Sequence, residues 1–125
     1  MNPFVKTFIA AAALSHRMIV VFTGNDGEVN AAASATGKIA GIVDQPGGAK
    51  TGERVDVVLF GPAEVVAGGT IAAGDFITAD ANGKAIAAAP ATGVNNVVAG
   101  RTLTKAVEDD IVKAFINPAS IQGAA

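Results

Sequence analysis

The sequence predicts an all-β fold, a small barrel or sandwich carrying an extended N-terminal arm. Three observations support this. Turn-forming residues recur at short, even intervals: Gly24-Asn25-Asp26-Gly27, Thr36-Gly37-Lys38, Pro46-Gly47-Gly48, Gly61-Pro62, Gly68-Gly69, Asp80-Ala81-Asn82-Gly83 and Thr92-Gly93. Such clusters supply the positive φ, the fixed φ of proline and the local side-chain hydrogen bonds that reverse a chain. The segments between them are enriched in β-branched and aromatic residues, which suit a pleated, half-buried surface. None of these segments is long enough to form a helix stable by itself.

Taken in order, residues 1–14 hold an Ala-rich stretch from Phe8 to Leu14. Alanine favours helix, but the stretch is too short to be stable alone, so these residues read as an extended arm that orders on a partner. Met18 to Phe22 is a strand, and Asn30 to Ala35 a strand end running into a turn. Lys38 to Val43 follows as a strand. Arg54 to Phe60 shows the clearest alternation, with Val55, Val57 and Leu59 on one face and Arg54, Asp56 and Val58 on the other. Phe76 to Thr78, Val97 to Leu103 and Ile111 to Ile116 complete the set. The last is apolar on both faces, so its second face is expected to meet another layer or another subunit. Pro118 is expected to stop it, leaving a surface tail. The resulting division is an arm over 1–14, a β-domain over 15–118 and a tail over 119–125.

A chain of 125 residues sustains one core. Half of it is apolar, but only 5% is aromatic, with no Trp or Tyr, and much of the remainder is Ala. Burial returns ~25 cal/mol per Å², so an Ala-rich core is thin, and self-association or docking on a larger surface is expected to complete its stability. A net charge of −2 with scattered Lys and Arg argues against binding nucleic acid through its phosphates. The chain has no Cys, hence no disulfide, thiolate metal site or Cys nucleophile. Lys6 and the apolar run to Leu14 imitate a signal peptide, but His16 and Arg17 follow at once. No stretch approaches the ~18 apolar residues that span a bilayer, and a soluble protein with no membrane partner is expected.

Catalytic chemistry is sparse. His16 is the single histidine, it lies beside Arg17, and no serine sits in a nucleophile elbow. Glu108-Asp109-Asp110 is the densest acidic cluster and reads as the polar turn before the last strand. Asp80-Ala81-Asn82-Gly83 resembles the start of a calcium loop, but no acidic residue follows at the closing position, which leaves a hairpin turn. Gly47-Gly48-Ala49-Lys50-Thr51 lacks the glycine before its lysine and the helix after it that a phosphate-binding loop needs. Gly68-Gly69 to Gly74 lacks dinucleotide spacing. The six Phe residues are spread singly, as core or interface anchors. No cofactor, metal site or enzymatic activity is expected.

Several runs resemble the tailed-bacteriophage head decoration, or capsid cement, proteins. They are Asn2-Pro3-Phe4 with Lys6-Thr7-Phe8, Gly52-Glu53-Arg54-Val55-Asp56-Val57-Val58-Leu59, Ala63-Glu64-Val65, Gly68-Gly69-Thr70-Ile71-Ala72-Ala73-Gly74-Asp75-Phe76-Ile77-Thr78-Ala79-Asp80 with Gly83-Lys84-Ala85, Asn95-Asn96 to Ala99-Gly100-Arg101, and Asp110-Ile111-Val112. They preserve their order over nearly the whole chain. The resemblance implies a β-barrel or β-tulip-like domain that assembles as a homotrimer at three-fold and quasi-three-fold positions on an expanded head. There it would bridge neighbouring copies of the major capsid protein against internal DNA pressure, on the outer surface of the virion after assembly in the host cytoplasm. On that reading Asn2, Phe4, Phe8 and Ile9 are the capsid contacts of the arm, which could add a strand to an exposed sheet edge. Truncating residues 1–14 would then weaken binding and leave the β-domain folded. The alternative is a small-molecule or sugar-binding β-module, which needs convergent polar groups around a pocket. A hydrolase built on Asp109 and Asp110 is a third reading.

Overall fold

The computed structural model of the chain describes residues 3–90 and 92–122. Among these residues the regular structure is all β: β1 (Phe4–Ala10), β2 (Ile19–Phe22), β3 (Glu28–Ala31), β4 (Ile39–Val43), β5 (Arg54–Val66), β6 (Phe76–Ala79), β7 (Ala85–Ala87), β8 (Asn95–Thr102) and β9 (Ile111–Gln122). The strand order is β1-β3-β2-β4-β5-β9-β8-β6-β7, and β1 also pairs with β5. That extra pairing closes β1, β3, β2, β4 and β5 into a five-stranded barrel, while β5 continues into a second sheet with β9, β8, β6 and β7.

β5 serves both halves because it is 13 residues long. Its first part pairs with β1 and β4, with Phe4 opposite Phe60 and Val43 opposite Val57. From Gly61 onward it pairs with β9, from Gly61–Ile116 to Val66–Ile111. The change of sheet falls at Gly61-Pro62, where a strand bends most easily and where, among the described residues, proline's missing N–H has no ladder partner to lose on the far side.

Two apolar clusters follow from this layout. Phe8, Ala10, Leu14, Val20, Val29, Ala40, Val43, Ala49, Val55 and Val57 fill the barrel. The outer wall of the barrel contributes Ile19, Ile39, Ile42 and Val58 to a second cluster, where they meet Val65, Ile77, Ala99, Val112, Ala114 and Ile116 from the second sheet. β4 is therefore buried on both faces along its whole length, and its near-continuous apolar sequence reflects that.

The sequence reading differs from the structure at both ends. Residues 4–10 are not an arm outside the β-domain but a barrel strand, antiparallel to β5 and parallel to β3. The alternation that identifies it is Phe8 and Ala10 inward, Ile9 outward, and the Ala-rich composition obscures it. The strand expected to stop at Pro118 runs to Gln122, because β8 pairs with it on both sides of a bulge that falls between Val98–Ala119 and Gly100–Ile116. Pro118 lies in that irregularity, beyond the end of the β5 pairing, where a strand tolerates proline. Of the expected tail, residues 119–122 are thus strand, and residues 123–125 lie outside the described part. β3 and β7 were not expected as separate strands. Both are short, Ala-containing segments that gain their pairing from neighbours.

Candidate interaction surface

Alternation along the second sheet sets the surface. In β9, Val112, Ala114 and Ile116 face the core, so Ile111, Lys113 and Phe115 face away from it. The same logic turns Arg101 of β8 and Phe76 of β6 outward. Strand register then joins these residues into a row. Phe4 lies opposite Phe60, and the Phe60 ring meets the Phe115 ring edge-to-face, with centroids 5.2 Å apart and planes at 85°. Arg101 lies opposite Phe115, and Phe76 lies opposite Arg101. The Arg101 guanidinium stands 5.0 Å from the Phe76 ring centroid, and its Nε donates to the Gly74 carbonyl at 3.1 Å. Four of the six phenylalanines thus form one aromatic ladder across β1, β5, β9, β8 and β6.

Edge-to-face and cation–ring geometry fix the side chains of Phe60, Phe115, Arg101 and Phe76, and Phe4 joins them through strand register. Yet Phe4, Phe60 and Phe76 remain 61%, 42% and 42% exposed. An aromatic surface of this kind is a candidate interaction site. Beside it lies a hollow of about 140 Å³ walled by Phe76, Arg101, Phe115, Asn117 and Ala119, with Val98 and Gly100 at its base. Gly100 takes φ 152°, and a Cβ there would overlap the Phe115 carbonyl oxygen, so no side chain can occupy that position.

The expected contact residues separate. Asn2 lies outside the described residues. Phe4 joins the ladder, and Ile9 is 39% exposed on the other side of β1. Phe8 is only 6% exposed, packed edge-to-face on Phe22 inside the barrel mouth, so it is a core residue.

The polar clusters are structural in character. Asp109 takes a left-handed φ of 69° and accepts from the Lys84 ammonium at 2.7 Å. That hydrogen bond, with the Asp109 charge, raises the Lys84 pKa above its ordinary value. Asp110 accepts from the Val107 N–H at 3.0 Å and shapes the turn before β9. Asp80 accepts from the N–H groups of Asn82 and Lys84 at 2.8 and 3.0 Å, which makes the β6–β7 connection a hairpin turn. His16 Nε2 stands 3.8 Å from Asp44, beyond hydrogen-bond range. The Gly48 and Ala49 N–H groups are taken by the carbonyls of Gln45 and Leu14, so that loop presents no open phosphate cradle there.

The fold is similar to that of a phage head protein. One solved neighbour is the head fiber gp8.5 N base of bacteriophage phi29, with a TM-score of 0.69 and 21% sequence identity over 93% of this chain and 95% of that chain. At that identity the likeness is one of fold. No protein-family model and no curated protein matches the chain.

The ladder was only partly legible in sequence. Phe60, Phe76 and Phe115 are isolated along the chain, and only the pairing of β5, β9, β8 and β6 brings them together. The usable signal was the outward phase of Phe115 between Ala114 and Ile116.

Proposed function

We propose that this chain is a non-enzymatic structural protein of the outer surface of a bacteriophage head. The observation that carries the reading is the end-to-end likeness in fold to the phi29 head fiber base, which spans nearly the whole of both chains. The resemblance of the ordered runs to decoration proteins points the same way. In this reading the chain assembles as a homotrimer on three-fold and quasi-three-fold positions of the expanded head. It bridges major capsid protein subunits there and resists internal pressure, and many weak copies add up through multivalency. It binds no nucleic acid directly and reaches the virion surface after assembly in the host cytoplasm. With Phe8 committed to the barrel, the capsid contacts assigned to the first residues reduce to exposed ones, Phe4 and Ile9 among the described residues.

A second reading rests on the same neighbour, which is the base of a head fiber. The domain then seats an appendage on the head instead of cementing it. Co-sedimentation with expanded and unexpanded heads of the cognate phage separates these readings from others. Saturable binding to expanded heads at a copy number matching the three-fold sites, with delayed head rupture on heating, supports the cement role. Binding at a much lower copy number without that protection supports the fiber-base role. No binding to either head form refutes both.

A further inference from the structure

Among the surface features, the aromatic ladder pairs a projecting side chain with a recess of matching size. Phe4 projects from one end, the most exposed of the large apolar side chains, on a backbone held by its pairing with Phe60. Near the other end lies the hollow of about 140 Å³ between Phe76, Arg101 and Phe115. An apolar cavity of ~150 Å³ accepts benzene, so the recess has room for one aromatic ring.

We infer that copies of this chain associate head to tail, with Phe4 of one copy inserted in the Phe76–Arg101–Phe115 hollow of the next. The inference rests on the homotrimer in the proposed function and assigns its contact, which takes Phe4 into the trimer and leaves Ile9 as the described capsid contact of β1. Knob and recess differ and lie on one chain, so each copy can give and receive. Used in one direction the contact is heterologous and closes into a ring when the rotation between copies completes a turn, whereas used reciprocally it makes a two-fold dimer, which the sedimenting mass distinguishes. Self-association interfaces are more apolar than those formed with independent partners, and this surface is aromatic. Arg101 is the single charged residue in the ladder, so two copies with a net charge of −2 meet there without opposed carboxylates. Its guanidinium, already stacked on Phe76 and tied to Gly74, presents a weakly hydrated planar group to an entering ring.

The test uses the full chain in two variants, Phe4→Ser to remove the knob and Ala119→Trp to plug the recess, with Asn117→Trp as a second plug if the first fails to fold. Circular dichroism identifies variants that keep the fold, and sedimentation velocity gives the mass of each species. The expected wild-type mass is three times the 12.3 kDa of the chain. Each variant should associate at least roughly tenfold more weakly, as for the loss of one hot-spot side chain, and sediment as a monomer. Mixed one to one, they retain one good knob and one good recess and should form a heterodimer that grows no further. A wild-type monomer, a folded variant that stays trimeric, or a mixture that stays monomeric would each overturn the inference. Head co-sedimentation is read separately. A monomer that binds heads leaves the proposed function standing without this contact, and a trimer that ignores heads leaves the contact standing without that function.

Discussion

Replacing Phe8 by Ala tests whether residues 4–10 belong to the barrel, and replacing its neighbour Ile9 supplies the control. Phe8 is 6% exposed and packs edge-to-face on Phe22 at 6.1 Å, whereas Ile9 on the same strand is 39% exposed. Truncating a buried Phe costs about 3–5 kcal/mol through lost transfer energy and the cavity left behind. Phe8 sits near the barrel mouth, where neighbours can relax, which favours the lower end, about 3 kcal/mol. The half-buried Ile9 should lose about 1 kcal/mol. At roughly 4 °C per kcal/mol for a domain of this size, Phe8→Ala lowers the melting temperature by about 12 °C and Ile9→Ala by about 4 °C. The assay is thermal unfolding followed by circular dichroism at one fixed protein concentration, since any self-association would make the midpoint concentration-dependent. Equal, near-zero shifts for both variants would refute the placement of β1, because an arm outside the domain would not distinguish the two positions.

Two further outcomes follow from the packing. In Gly41→Ala the new Cβ overlaps the Val58 carbonyl oxygen between β4 and β5, and the variant should lose at least about 2 kcal/mol in urea unfolding, or fail to accumulate in soluble form. Thr78 is buried and its Oγ1 donates to the Val97 carbonyl at 2.7 Å, so Thr78→Val should cost about 1–2 kcal/mol in the same assay, and Thr78→Ser should recover most of the hydrogen-bond part.

Class and most strands were legible because turn chemistry and β-branched enrichment are local signals. Met18 to Phe22, Lys38 to Val43 and Phe76 to Thr78 match β2, β4 and β6 to within a residue. β1 was not legible as a barrel strand because its inward positions are a Phe and an Ala in an Ala-rich stretch, and its partner lies some fifty residues away. The extension of β5 past Gly61-Pro62 and of β9 past Pro118 was hidden for a different reason. Proline reads as a strand stop, and only the sheet reveals that at both places one edge lacks a neighbour. The polar turns at Asp80 and Asp110 were legible because their side-chain-to-backbone bonding is local, whereas the aromatic ladder exists only in the pairing of distant strands.

The barrel is contiguous in sequence, since all the mutual pairings of β1 to β5 fall within residues 4–60. During synthesis it can therefore close before the second sheet exists. Ile19, Ile39, Ile42 and Val58, which that sheet covers in the finished molecule, then stand in water on the nascent chain. Ribosomes add about 5–20 residues per second, so the roughly 55 residues between Phe60 and Ile116 leave that wall bare for about 3–11 s. During this interval neighbouring polysomes can stick to one another, and chaperone capture of the half-made chain would protect the yield most there.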